Sequence, residues 1–140
     1  MKVIIAGAAG RMGRELLKYA YQDDDIDIIG ASEASGSDWI GKDIGEVIGE
    51  ANMNIKIVSD ILELIKSADV IIDFTNPETT LANAVLAAQA RISHIIGTTG
   101  FQNEEIESLK KAGNHAVLVQ SGNMSLGINI LSQMTEKIAR

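Results

Sequence analysis

VIIAGAAGRMGRE, residues 3–15, decides the fold expected of this chain. The four apolar residues at 3–6 predict a buried β-strand, and three glycines spaced three apart follow them. Gly7 suits a tight turn out of the strand, Gly10 lets the backbone approach a pyrophosphate, and Gly13 lets a helix pack close to the sheet. The stretch therefore predicts a strand, a dinucleotide-binding turn and a helix.

The helix after the glycines is expected to bury Met12, Leu16 and Ala20 and to offer its amino end to an anion. Its first N–H groups have no partner within the helix. Arg11 adds a cation, either as a contact to the pyrophosphate or as a cover over the adenosine. Glu33 lies twenty residues after the last glycine, where a carboxylate can accept both hydroxyls of an adenosine ribose. The alternative is an ordinary turn and a solvated acid.

The composition is that of a soluble globular domain and argues against several classes of function. Of 140 residues, 46% are apolar and 22% are charged, and 12 Lys and Arg against 19 Asp and Glu give a net charge of −7. This charge argues against nucleic acid and against a membrane surface as partners. The chain has no cysteine, no apolar run of membrane-spanning length and no signal-peptide pattern, so we expect a cytoplasmic protein.

Short β-branched runs alternate with helical stretches along the chain. The predicted strands are Lys2–Ala6, Asp27–Ala31, Ile55–Val58, Asp69–Asp73, Ser93–Ile96 and Ala116–Gln120. This alternation predicts a Rossmann-like, doubly wound α/β fold, with a mainly parallel sheet and helices on both faces. Helices are expected to begin at Asp60 in a capping box with Glu63, at the Asn76-Pro77 pair and at Asn103. The glycine-rich segment 34–54 is expected to be a long, partly ordered excursion.

Residues that follow parallel strands gather at one edge of the sheet, where ligands bind in such folds. Gly97-Thr98-Thr99-Gly100 would form a nicotinamide-side wall with backbone groups and threonine hydroxyls facing a ligand, or else a plain turn. Ser121-Gly122-Asn123-Met124 would complete that wall, with Met124 against the ring. The alternative for this second segment is a loop that starts a helix, with Ser125 as the N-cap.

The remaining polar residues have ordinary structural explanations. His94 lies inside a predicted strand and His115 in a polar turn, without partners at metal-ligand or catalytic spacing. The aspartates at 23–25 suit a solvated turn. Trp39 either packs the glycine-rich excursion, which is the simpler role, or lies over an adenine. We therefore expect no metal site and no nucleophilic catalytic set in this chain.

Five blocks, in this order, resemble dihydrodipicolinate reductase. They are VIIAGAAGRMGRE at 3–15, the acid Glu33, IIDFTNPETT at 71–80, IIGTTGF at 95–101 and SGNMSLGIN at 121–129. The resemblance covers essentially the whole chain. It implies a cytoplasmic, homotetrameric enzyme of lysine and diaminopimelate biosynthesis that reduces a cyclic dicarboxylate with NADH or NADPH. It also implies that Thr99 lies near the substrate and that the following residues bind the cofactor: Gly7, Ala8, Ala9, Gly10, Arg11, Met12, Glu33, Gly97, Thr98, Thr99, Ser121, Gly122, Asn123 and Met124.

The chain departs from the family pattern in two respects. Family members are nearly twice as long, and their second domain carries a His-rich motif, a catalytic lysine and a Ser-Gly-Thr substrate loop that this sequence lacks. The resemblance thus implies a dinucleotide-binding domain at 1–125, a helix at 126–140 that leads towards an absent substrate domain, and no catalytic residue or turnover in this chain alone. The second departure is Ala34, where many members have an arginine beside the acid, so we expect NADH to be preferred over NADPH.

The leading interpretation is the cofactor half of a nicotinamide-dependent reductase. A stand-alone NAD-binding module that senses redox state is an alternative from a different class. Another amino-acid-pathway dehydrogenase on the same scaffold is a further alternative, because a fold alone does not set a function.

Overall fold

The computed structural model describes residues 1–139 and contains a six-stranded parallel sheet with the strand order 3-2-1-4-5-6. The strands are β1 Lys2–Ala6, β2 Asp27–Ser32, β3 Ile57–Val58, β4 Val70–Asp73, β5 Ser93–Ile96 and β6 Leu118–Gln120. The register places Ala6 beside Asp73, and Asp73 beside Ile96, at the carboxyl ends of the three central strands. The strand order reverses between β1 and β4, which is where such sheets open a ligand crevice.

Helices cover both faces of the sheet, which confirms the predicted doubly wound fold. They are α1 Arg11–Tyr21, α2 Ile44–Ile48, α3 Pro77–Ala90, α4 Asn103–Ala112 and α5 Leu126–Ile138, with a short 3-10 helix at Ile65–Ser67. The side chain of Asn76 caps α3, as predicted, and the side chain of Ser125 caps α5, as in the alternative interpretation of that segment. Within residues 1–139, no helix combines the length and apolar character needed to cross a bilayer.

The core consists of one apolar layer on each side of the sheet. Val3 and Ile5 of β1 belong to a cluster with Leu17 of α1, and Ile4 belongs to a cluster on the opposite face with Ala87 of α3. Both faces of β1 are therefore buried, which explains why its sequence is continuously apolar and does not alternate.

The helix α5 differs from the others because none of its described side chains is buried. Ile130, Met134 and Ile138, which lie at helical spacing in the sequence, are all exposed. The division into a domain at 1–125 and a connecting helix at 126–140 is not tested by this arrangement and stays a prediction. Arg140 lies outside the described residues.

Two predicted helix starts are wrong. The carboxylate of Asp60 accepts the backbone N–H of Leu62 at 2.9 Å, and the chain there forms turns that lead into the 3-10 helix at Ile65–Ser67. The N-cap of α4 is Gln102, one residue before the predicted position. A carboxylate oxygen of Glu105 accepts the backbone N–H of Gln102 at 2.7 Å and thereby sets this boundary.

The glycine-rich excursion is more ordered than predicted, because the buried side chain of Asp43 ties it together. Its carboxylate accepts the backbone N–H groups of Gly45 at 2.9 Å, Met53 at 2.8 Å and Ile55 at 2.9 Å. Asp43 also forms an isolated antiparallel bridge with Lys56, so the third strand begins two residues later than predicted.

The buried face of α1 is set by Gly13. The helix buries Gly13, Leu17 and Ala20 and leaves Met12 46% exposed, so the stripe predicted through Met12 is wrong. A β-carbon on Gly13 would overlap the carbonyl oxygen of Gly7, which shows how closely the helix approaches the turn before it.

We expect Gly13→Ala to lower the free energy of unfolding by about 1–3 kcal/mol or more, because the added methyl group must displace the backbone. Gly36→Ala is the control, since a β-carbon there meets nothing within 4 Å. Urea unfolding monitored by circular dichroism measures both variants. Equal stability of the two would contradict the close-packing interpretation.

A second prediction concerns the response of Asp43 to pH. Burial raises the pKa of this carboxyl, but the backbone N–H groups that donate to it lower the pKa further, to below its usual 3.8. Its contribution to stability is therefore present above pH 3.8 and is lost as pH falls through the lower folded-state pKa. Asp43→Asn should be about 1–3 kcal/mol less stable at neutral pH. Urea titrations at successive pH values should show the difference shrinking in acid, and a constant difference would refute the assignment.

Candidate functional site

A cleft of about 780 Å³ opens at the carboxyl edge of the sheet, beside the reversal of strand order. Its lining includes Gly7, Gly10 and Glu33, which the sequence predicted. It also includes the segment 59–61 and one side of α3, which the sequence prediction missed. The segment 59–61 directly follows β3, so its position after a strand was a usable signal.

The glycine-rich turn is held by the neighbouring strand. Gly7 has φ +73°, a left-handed conformation that suits glycine, and the N–H groups of Gly7 and Ala8 donate to the Ser32 carbonyl at 2.9 and 3.0 Å. Gly10 is the N-cap of α1 and has no side chain that could cap the helix. The first N–H groups of α1 are consequently open to an anionic ligand.

Two side chains of opposite charge form hydrogen bonds with the backbone of Ala9. A carboxylate oxygen of Glu33 accepts the Ala9 N–H at 2.7 Å, and the Arg14 guanidinium donates to the Ala9 carbonyl at 2.8 Å. Arg14 also donates to the Val47 carbonyl at 2.9 Å and lies 5.0 Å from the ring centroid of Trp39. These contacts hold the turn in one conformation without the help of a ligand. Trp39 has the packing role, because it lies against the core cluster between β1 and α1.

The predicted adenosine-side residues lie in the cleft wall or at the exposed start of α1. One carboxylate oxygen of Glu33 is engaged by Ala9, and the other has only a long contact of 3.4 Å, to the Ala34 N–H. Arg11 and Met12 are exposed at the start of α1, and Ala34 is exposed in the cleft wall. The arrangement can present a hydrogen-bond acceptor to a ribose hydroxyl and N–H donors to a phosphate.

A buried network beneath the cleft centres on Asp73, which is 0% exposed. Its Oδ1 accepts from the Thr75 hydroxyl at 2.6 Å, the Thr75 N–H at 3.0 Å and the Thr80 hydroxyl at 3.1 Å. Its Oδ2 accepts from the Asn83 amide at 2.9 Å and lies 3.3 Å from His94 Nε2. Sequence reasoning assigned no role to Asp73, although its position at the end of a buried strand was a signal.

The electrostatics of this network favour an ionised Asp73. Burial raises the pKa of its carboxyl, but hydrogen bonds from His94, Thr75 and Asn83 outweigh burial and hold the pKa below its ordinary value. Since an ionised carboxylate only accepts, Nε2 of His94 carries the hydrogen. His94 is fully buried, and its Nδ1 has no hydrogen-bond partner among the described residues, so it is a core histidine, as the sequence indicated.

The segment 97–99 is only partly as predicted. A β-carbon on Gly97 would overlap the ring of Phe74, so glycine is required by close packing. Thr98 is 4% exposed, and its hydroxyl lies 3.3 Å from a carboxylate oxygen of Asp73. The expectation that both threonine hydroxyls face a ligand is therefore wrong for Thr98, because this hydroxyl joins the buried network. Thr99 is exposed, as a ligand contact requires.

The segment 121–124 lies beside 97–99 but outside the 780 Å³ cleft. The Ser121 N–H donates to the Ile96 carbonyl at 3.1 Å, so the two segments leave adjacent strands together. The Ser121 hydroxyl donates to the Asn123 carbonyl at 2.9 Å, and Gly122 and Met124 are exposed. Contacts of either segment with a nicotinamide stay predictions. In the part of the chain that is described, no group of three or more His, Cys, Asp and Glu side chains is arranged to hold a metal ion.

Comparison with known proteins agrees with this geometry. The family model described as dihydrodipicolinate reductase, N-terminus, matches residues 1–124. A 4-hydroxy-tetrahydrodipicolinate reductase from Ruegeria pomeroyi is 47% identical over 137 residues, which are 98% of this chain and 51% of that protein. The chain thus spans about half the length of the curated relatives that it matches.

Solved structures show the same fold. The dipicolinate-bound dihydrodipicolinate reductase from Paenisporosarcina sp. TG-14 has a TM-score of 0.63 at 23% identity, covering 81% of this chain and 43% of its own. The scyllo-inositol dehydrogenase from Lactobacillus casei, with bound NAD(H) and scyllo-inositol, has a TM-score of 0.68 at 17% identity, covering 98% and 41%. The family model covers more than half of the sequence, and the chain therefore belongs to the dihydrodipicolinate reductase family, whose N-terminal region it matches.

Proposed function

We propose that this chain is the nicotinamide-dinucleotide-binding part of a reductase that transfers hydride to a cyclic dihydrodipicolinate-type substrate in lysine and diaminopimelate biosynthesis. The observation that carries the proposal is the cleft itself. It joins the left-handed turn at Gly7, the uncapped start of α1 and the carboxylate of Glu33 at the reversal of strand order. The family membership and the names of the relatives support the choice of reaction.

Within the proposal, each part of the dinucleotide has a place. The pyrophosphate lies at the start of α1, where the N–H groups of Arg11 and Met12 are not capped by a side chain. Glu33 accepts a ribose hydroxyl while its other oxygen keeps the Ala9 contact. The nicotinamide lies near Thr99 and the segment 121–124, which continue the same sheet edge.

The bound cofactor supplies the hydride, and the protein orients the ring and shields it from water. Hydride transfer to a ring imine also needs a proton donor and a site for two carboxylates. We assign neither to this chain and place both in the further half that the relatives possess. The domain at 1–125, the helix at 126–140 that leads away from it, the homotetramer and the cytoplasmic location rest on the resemblance and remain part of the proposal.

The first test replaces the glycine that would face the pyrophosphate. Gly10 has φ −68° and ψ 169°, which valine adopts, and its β-carbon would approach only the Gly7 carbonyl, at 3.1 Å. Gly10→Val should therefore fold but should raise the dissociation constant for NADH by about tenfold or more, because the side chain excludes the phosphate. Calorimetric titration measures this.

The matched control is Gly113→Val, at the far end of α4, which should bind like the unmodified chain. Failure of the unmodified chain to bind NADH or NADPH would refute the proposed function. A folded Gly10→Val variant with unchanged affinity would refute the placement of the pyrophosphate.

The second test concerns cofactor preference, which we propose to be NADH over NADPH. A 2′-phosphate would meet the negative charge of Glu33, and no cation occurs between Ala34 and Lys42 to offset it. Hydrogen bonds to a charged group contribute about 1.5–3 kcal/mol, so NADH should bind about tenfold more tightly. Ala34→Arg should narrow this gap and Ala34→Gln, which adds length without charge, should narrow it less. Equal affinities for both cofactors at low and moderate salt would count against the argument.

A further inference from the structure

Asp73 occupies a position from which one side chain can reach both halves of the proposed cofactor site. The register pairs it with Ala6, the residue before the glycine-rich turn, and with Ile96, the residue before Gly97. The turn belongs to the proposed pyrophosphate side and the segment after Gly97 to the proposed nicotinamide side. Asp73 itself is fully buried and cannot touch a ligand.

On the pyrophosphate side, Asp73 acts on Thr75. It accepts both the hydroxyl and the N–H of this residue, at 2.6 and 3.0 Å. A β-carbon on Gly7 would lie 3.0 Å from the Thr75 methyl group, so Thr75 lies directly beside the glycine-rich turn in the wall of the cleft. The position of Thr75 therefore limits where the turn can lie.

On the nicotinamide side, Asp73 acts on Thr98. The Thr98 hydroxyl lies 3.3 Å from Asp73 Oδ1, accepts the Thr75 N–H at 3.1 Å and lies 2.8 Å from the Thr80 hydroxyl. Thr98 is thus tied to the end of β4, to the segment that follows β4 and to α3. Since Thr99 is the next residue, its backbone position depends on these contacts.

We propose that Asp73 is a positioning residue that sets the glycine-rich turn and the segment 97–99 at the spacing that one dinucleotide spans. This inference rests on the proposed function and adds the hydrogen-bond network that fixes the spacing between the two halves of the site. Asn83 and His94 complete this network, because they donate to the second carboxylate oxygen of Asp73, so that both oxygens accept hydrogen bonds.

The chemistry of the network explains why only an ionised carboxylate performs this role. Thr75, Thr80, Thr98 and Asn83 present N–H or O–H groups to Asp73, and His94 does so in the tautomer that carries its hydrogen on Nε2. An asparagine has the same shape, but its NH₂ group would face donors at one of the two positions. Asp73→Asn therefore changes the hydrogen bonding with little change in volume.

The experiment compares Asp73→Asn and Thr98→Val with a control, Asp69→Asn, in the same 140-residue chain. Asp69 lies just before the opposite end of β4, where its carboxylate accepts the Lys2 N–H at 2.7 Å. The affinities for ADP-ribose and NADH report separately on the two halves of the site, because ADP-ribose lacks the nicotinamide ring that NADH carries. Titration calorimetry gives both affinities for folded protein, and the fluorescence of bound NADH reports on the ring environment.

We expect Asp73→Asn to weaken both ligands by roughly tenfold, because both segments lose their anchor. Thr98→Val should weaken NADH about threefold to tenfold, reduce the fluorescence change on binding and leave ADP-ribose nearly unaffected. Asp69→Asn should bind both ligands like the parent chain. If Asp73→Asn does not fold, the Thr98→Val pattern alone decides the question.

Two other outcomes would contradict the proposals, and the measurements tell them apart. If the unmodified chain binds neither ligand, the proposed function fails. If the unmodified chain binds both, and the folded variants keep its affinities while only their free energy of unfolding falls, then Asp73 has a structural role alone and the positioning proposal is overturned.

Discussion

The contact between Gly13 and the carbonyl oxygen of Gly7 is the constraint on which the rest of the site depends. Because there is no room for a β-carbon, α1 starts almost against the end of β1. This closeness turns the uncapped first N–H groups of α1 towards the carboxyl edge of the sheet, where the strand order reverses. The orientation of α1 that this contact requires buries Leu17 and leaves Met12 at the surface. The position of Gly13, and not the apolar pattern of the helix, therefore determines which face of α1 is buried.

A backbone site of this kind needs side chains that hold it in shape. Glu33 and Arg14 do so for the glycine-rich turn by engaging the N–H and the carbonyl of a single residue, Ala9. Burying charged groups costs free energy unless hydrogen bonds compensate them. The same principle applies to Asp73, whose full burial is offset by hydrogen-bond donors from five neighbouring residues. The site thus combines bare glycine backbone with charged side chains that form hydrogen bonds beneath it and beside it.

The sequence predicted those parts of the fold and site that depend on local pattern. Buried strands show as apolar runs, and the role of Gly7 follows from its place between a strand and a helix. It could not predict that Val47 and Trp39 hold Arg14 against the turn or that Thr98 faces inward, because these contacts join residues far apart in the chain. The helix start wrongly predicted at Asp60 has the opposite cause, which is a misleading local pattern. A local capping pattern was present, but the side chain closed a turn instead.

The two halves of the proposed cofactor site differ in how completely this chain builds them. The adenosine side has a walled cleft between the glycine-rich turn and α3, and its hydrogen-bonding groups are already oriented. The nicotinamide side is an edge formed by Thr99 and the segment 121–124, and it lies outside that cleft. A reductase of the proposed kind needs this difference. Tight contacts at the adenosine end supply binding energy far from the reaction, while the reactive ring must stay open to a substrate that another part of the protein positions.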